Sequence, residues 1–69
     1  MLLRVGGRCY ELTQPALRRV LGLPKGPSGL GITIDRGRLH FEFAGDDQSV
    51  TLPAAQLRHR LAKRVTASV

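Results

Sequence analysis

The stretch Leu30-Gly31-Ile32-Thr33-Ile34-Asp35-Arg36-Gly37-Arg38-Leu39-His40-Phe41-Glu42-Phe43 decides the fold. Leu30, Ile32 and Ile34 alternate with Gly31, Thr33 and Asp35, and Leu39, Phe41 and Phe43 alternate with His40, Glu42 and Ala44. This is the period of a strand with one apolar face. Asp35-Arg36-Gly37-Arg38 joins the two runs as a hairpin turn. Both phenylalanines fall on the apolar face beside the aliphatic residues, so they read as core and not as platforms for stacking bases. Downstream, Gly45-Asp46-Asp47-Gln48 makes a further turn, and Val50 and Leu52 alternate into a last strand.

Upstream, Leu3 and Val5, Gly6-Gly7, and Arg8-Cys9-Tyr10-Glu11-Leu12 read as two short strands about a glycine turn. A helix follows. Thr13 caps it, Pro15 lies in its first turn, and Leu12 and Leu17 stand at the staple positions. Ala16, Leu17, Val20 and Leu21 share its apolar face, and Arg18 and Arg19 point away. Gly22 ends it and Pro24 forbids continuation. Leu23 to Gly29 is a loop. A second helix is expected to open with Thr51 or a neighbour as cap and Pro53 in its first turn, with Ala54, Leu57, Leu61 and Val65 inward and His59, Arg60, Lys63 and Arg64 outward. Arg58 falls at the margin. Laying Thr13 on Thr51 pairs Pro15-Ala16 with Pro53-Ala54, an echo best read as convergent helix-start chemistry. The fold class is a small α+β domain, ββαβββα, with a small antiparallel sheet of short hairpins and two short helices. One basic domain spans 1–65 and a frayed tail 66–69.

With 69 residues, the chain buries only about 60% of the surface its unfolded form exposes, and its core supplies about 3 to 5 kcal/mol. Small domains add disulfides, a metal or a second subunit. The single cysteine, Cys9, closes no internal disulfide, and one cysteine with two histidines falls short of a four-ligand zinc site. A homodimer is therefore expected. Composition is globular, at 42% hydrophobic and 23% charged. No apolar run approaches the roughly 20 residues that cross a bilayer. The opening Met1-Leu2-Leu3-Arg4-Val5 is interrupted too early for a signal-peptide core, so a cytoplasmic protein without membrane contact is expected.

Eleven Lys and Arg against five Asp and Glu give a net charge of +6. The charge divides as +4 over 1–29, −2 over 30–52 and +4 over 53–69. Neither helix contains an acid, whereas ordinary solvated helices mix signs. Single-sign helical faces attract polyanions and release counterions on binding. Tyr10 is the one aromatic outside the central apolar face, which disfavours a stacking platform for single strands and favours duplex DNA.

Enzymatic chemistry finds little support. Cys9, His40 and His59 have no recognised nucleophile–base spacing, and Cys9 reads as small packing material. Asp46 and Asp47 suit a turn. Lys25-Gly26-Pro27-Ser28-Gly29 lacks the order of a phosphate-binding loop. His40 reads as solvated on the outer sheet face, and His59 as solvated or phosphate-facing. No catalytic, cofactor or metal site is expected.

Ala16-Leu17-Arg18-Arg19-Val20-Leu21-Gly22-Leu23, a loop containing Gly26, and Leu30-x-Ile32-x-Ile34-Asp35-x-Gly37-x-Leu39-x-Phe41 resemble the AbrB-like swapped-hairpin DNA-binding family over residues 16–43. The resemblance implies an intertwined homodimer, acting as a transition-state regulator or antitoxin, with DNA contacts at Arg18 and Arg19. The family's first-hairpin arginines do not align, because Gly7-Arg8 lies two residues too far from the Leu-Arg-Arg segment. The expected function is that of a small DNA-binding protein, a homodimeric transcriptional regulator or antitoxin-like factor. Its expected contacts are Arg4, Arg8, Arg18, Arg19, Arg60, Lys63 and Arg64, with Arg18 and Arg19 as readers. The alternative partner is an acidic protein surface meeting the same basic faces, as for an adaptor or inhibitor of phage or mobile-element origin. An RNA-binding domain ranks third.

Overall fold

A computed structural model describes residues 1–68, with side chains to residue 63. The element order is β1 (Leu2–Val5), β2 (Arg8–Glu11), α1 (Gln14–Val20), β3 (Leu30–Asp35), β4 (Arg38–Phe43), β5 (Gln48–Pro53) and α2 (Ala54–Ser68). The expected α+β class and element order are observed. The strands form two antiparallel sheets instead of one: β1-β2, and β3-β4-β5.

Each hairpin follows from its turn residues. Gly6 and Gly7 have φ of 56° and 81°, and Arg36 and Gly37 have φ of 52° and 77°. Two successive left-handed residues match the twist of the flanking strands, so Val5 pairs with Arg8 and Asp35 with Arg38.

Helix α1 has the ends its sequence specifies. Thr13 Oγ1 accepts a hydrogen bond from Ala16 N at 3.2 Å, and Leu12 and Leu17 are both buried. At the other end Gly22 is left-handed, with φ of 78°. Gly22 N donates to Arg19 O at 3.1 Å and Leu23 N to Arg18 O at 2.8 Å, the paired closure that a glycine after the last turn permits.

Helix α2 begins differently from its expected start. Thr51 stays in β5 opposite His40, and Pro53 ends the strand. Ala54 N donates instead to Gly37 O at 2.9 Å, which anchors the helix start to the β3–β4 turn. Thr13 and Thr51 thus do different work, and the echo between them is local chemistry only. Helix α2 runs to Ser68, while Val69, the side chains of 64–68 and hence the tail expected over 66–69 fall outside the described side chains.

The core joins Leu3 and Val5 of the first hairpin, Leu12, Ala16, Leu17 and Leu21 around α1, Leu39, Phe41, Phe43 and Leu52 of the larger sheet, and Leu57 and Leu61 of α2. Ile32 and Ile34 depart from the expected burial. They share the face of Phe41 and Leu39, yet remain 42% and 68% exposed, because β3 is the outermost strand and extends beyond the helical cover. Cys9 likewise does not pack: it is exposed on β2.

Candidate nucleic-acid interface

The residue types that favoured a polyanion are redistributed by the fold. Arg18, expected as a reader of DNA, is 2% exposed. Its Nη2 lies 2.6 Å from Asp46 Oδ2, its Nη1 lies 3.3 Å from Asp46 Oδ1, and its Nε donates to Pro24 O at 2.8 Å. The guanidinium stacks on the Phe43 ring at 4.6 Å from its centroid. Arg18 thus joins α1, the 23–29 loop, β4 and the 44–47 turn, and its charged group is unavailable to a duplex. The hydrogen bond from Arg18 is the main cause that holds the Asp46 carboxyl below its usual range. Gly26 admits this pair, since a side chain there meets the guanidinium and Asp46 Oδ2, the latter at 2.7 Å.

The other expected contacts separate. In the first hairpin Leu3 faces Tyr10 and Val5 faces Arg8, whereas Arg4 faces Cys9. Directly opposed residues share a face, so Arg8 points toward the helical side and Arg4 toward the outer side. Arg19 is exposed at the end of α1. Arg60 is half-buried, and its Nη1 donates to Val20 O at 3.3 Å, which ties α2 to the carbonyl end of α1. Lys63 is exposed on α2, and the side chain of Arg64 lies outside the described residues.

One basic surface emerges. Arg8 and Tyr10 of β2 and Ala55, Arg58, His59 and Ala62 of α2 line a shallow groove of about 280 Å3. The helical members stand at i, i+3, i+4 and i+7, one flank of α2 beside its buried Leu57 and Leu61 stripe. Arg58 crosses the first hairpin turn. A Cβ built on Gly6 sits 2.8 Å from its Cδ and 2.9 Å from its Nε, so glycine lets the Arg58 side chain lie directly over the turn, and it suits the positive φ there.

No family model, curated protein or solved structure matches this chain.

Among the described residues the partnered carboxylates lie elsewhere: Glu11 with the N-terminus, Asp46 with Arg18, and Glu42 in hydrogen-bond contact with His40. None pairs with Arg4, Arg8, Arg19, Arg58 or Lys63. The macrodipole does not explain the basic residues of α2, because its last turn contains none. Of the groove residues, Arg8 was an expected contact and His59 was read as solvated or phosphate-facing, whereas Tyr10, Ala55, Arg58 and Ala62 were not selected from the sequence. The available signal was the acid-free spacing of 55, 58, 59 and 62, but only the docking of the first hairpin on α2 through β1 sets β2 opposite that flank as a second wall.

On the outer face of the larger sheet, His40 Nδ1 lies 2.6 Å from Thr51 Oγ1 and Nε2 lies 2.9 Å from Glu42 Oε1. His40 is thus partnered and half-buried where full solvation was expected. The contact ties β4 to β5 across a directly opposed pair. No helix among the described residues is long and apolar enough to cross a membrane.

Proposed function

We propose that the protein is a small DNA-binding protein, a homodimeric regulator or antitoxin-like factor that takes duplex phosphates in the groove between β2 and α2. The observation that carries this reading is the convergence of Arg8, Arg58 and His59 around Tyr10 with no paired carboxylate among the described residues. Arginine guanidinia hold phosphate oxygens through two parallel hydrogen bonds. Ala55 and Ala62 keep the wall between them low, so the backbone of a duplex can approach the helix. Lys63 extends the same acid-free helix. Arg4 and Arg19 act at longer range, through the field of a +6 domain.

Such contacts position a duplex without reading its bases. The expected behaviour is binding to random duplex DNA with steep salt dependence, with Arg19 as the remaining candidate for base contact. Fluorescence anisotropy with a random duplex of about 20 base pairs, titrated over a salt series, tests this. The double variant Arg8→Ala/Arg58→Ala should reduce the slope of log K against log salt by about 1.8, from about 0.9 for each phosphate contact. Arg38→Ala, an exposed arginine of the larger sheet, should leave the slope unchanged. Absence of binding even at low salt overturns the reading and favours an acidic protein partner.

A further inference from the structure

Strand β3 has two unmet requirements on the same side of the molecule. It ends the β3-β4-β5 sheet, so one row of its backbone groups has no strand beside it among the described residues. Its core-facing residues run from half-buried Leu30 to Ile32 at 42% and Ile34 at 68% exposure. Proteins protect such edges with lysine, proline, bulges or short strands. Here the edge strand has six residues in unbroken register, Leu30 against Phe43 through Asp35 against Arg38, with no lysine or proline.

The hydrogen-bond phase specifies what fits there. Ala44 N donates to Gly29 O at 2.9 Å, so Gly29 and Ala44 are a hydrogen-bonded pair. Alternation then turns the backbone groups of Gly31, Thr33 and Asp35 toward β4, and those of Leu30, Ile32 and Ile34 toward the open edge. The bond from Ala54 N to Gly37 O fixes the same phase independently, because it turns Leu39, Phe41 and Phe43 toward β5 and leaves Arg38, His40 and Glu42 for β3. The residues with outward backbone groups are therefore the residues with uncovered apolar side chains.

We infer that the β3 edge is the seam of a homodimer, in which β3 of a second copy pairs antiparallel across a two-fold axis at Ile32. Ile32 then meets Ile32 of the second copy, and Leu30 meets its Ile34. All three pairs are of the hydrogen-bonded type, and every apolar side chain lies on the core side of a continuous six-stranded sheet. An odd shift places isoleucines opposite polar residues and breaks this match. An axis at Thr33 keeps the faces but loses one hydrogen-bonded pair. Charge agrees with the Ile32 axis: Asp35, the only charged residue of β3, falls opposite Gly29 of the second copy, so no like charges meet. The pairing is isologous and closes at two copies. The far edge strand, β5, is polar at Gln48, Ser49 and Thr51 and ends at Pro53, as a protected edge does.

This inference rests on the proposed function only for the homodimer and not for DNA. Sedimentation equilibrium of the full chain at tens to hundreds of micromolar should give twice the 7.5 kDa chain mass. Ile34→Lys, at an exposed position, should keep the far-ultraviolet circular dichroism and weaken the dimer roughly a hundredfold, about tenfold for each isoleucine lost from the seam. In a Cys9→Ala background, Gly31→Cys chains mixed with Thr33→Cys chains should form a covalent dimer under mild oxidation, because residues 31 and 33 oppose each other at a close, non-hydrogen-bonded pair. Thr33→Cys alone should not. A monomeric wild type overturns the seam and the homodimer together and leaves DNA binding to its own titration. A dimer unaffected by Ile34→Lys overturns the seam alone, and a covalent dimer of Thr33→Cys alone overturns the register. A dimer that ignores DNA leaves the seam standing and removes the proposed function.

Discussion

Replacing Arg18 by methionine separates a structural arginine from a DNA-contacting one. Methionine retains an unbranched stem over Phe43 and removes the charged group. The variant loses the hydrogen bond to Pro24 O, a charged donor to a carbonyl, about 1.5 to 3 kcal/mol. It also loses the guanidinium over the Phe43 ring, about 0.5 to 2 kcal/mol. Asp46, whose side chain is 27% exposed, recovers part of its hydration once its partner is gone, so the lost ion pair adds to these losses without leaving a buried unpaired charge. The first two losses together come to about 2 to 5 kcal/mol, comparable with the whole stability of a chain this short. For a domain of this size each kcal/mol lowers Tm by about 4 to 8 °C, so unfolding at equal chain concentration should shift by about 10 °C or more. Circular dichroism melts of Arg18→Met and Arg19→Ala make the comparison, with DNA anisotropy measured below both transitions. Arg19→Ala should melt within about 0.5 kcal/mol of wild type. If Arg18→Met melted like wild type but lost DNA binding, the structural role assigned to Arg18 would be wrong.

Two further predictions concern the fold. Asp46 has a folded pKa held below its ordinary value of 3.8, chiefly by the Arg18 hydrogen bond, so its contribution is present above that value and is lost as pH falls through the folded pKa. The difference in Tm between wild type and Asp46→Asn should therefore be full at pH 6 and shrink as acid is added; a constant difference refutes the linkage. Arg36 occupies the first left-handed position of the β3–β4 turn, with φ of 52°, where asparagine is better suited. Arg36→Asn should raise stability by about 0.5 to 1 kcal/mol in urea titrations, and an unchanged or lower midpoint counts against the turn assignment.

Most of the local structure was legible in the residues. Alternating apolar positions in 30–43 set the strand period, Gly6-Gly7 and Arg36-Gly37 set the turns, and Thr13 with Gly22 bounded α1. Each of these acts over a few residues through backbone sterics or a single hydrogen bond. The start of α2 was not legible, because its first backbone donor finds Gly37 O, distant in sequence, instead of a neighbouring side chain.

The sequence by itself determined the element order, the acid-free helices and the core-forming alternation, since period, capping and charge are properties of neighbours along the chain. Only the tertiary structure decided which basic residues face outward. Arg18 and Arg19 are adjacent in sequence, yet Asp46 and Phe43, more than twenty residues away, draw one inside and leave the other in water. Arg8 and Arg58 are fifty residues apart and line one groove, because the first hairpin contacts α2 through β1 and brings β2 alongside one flank of the helix. Strand period identifies an apolar face, but what covers that face depends on the reach of the helices, which leaves Ile32 and Ile34 exposed at the edge of the sheet.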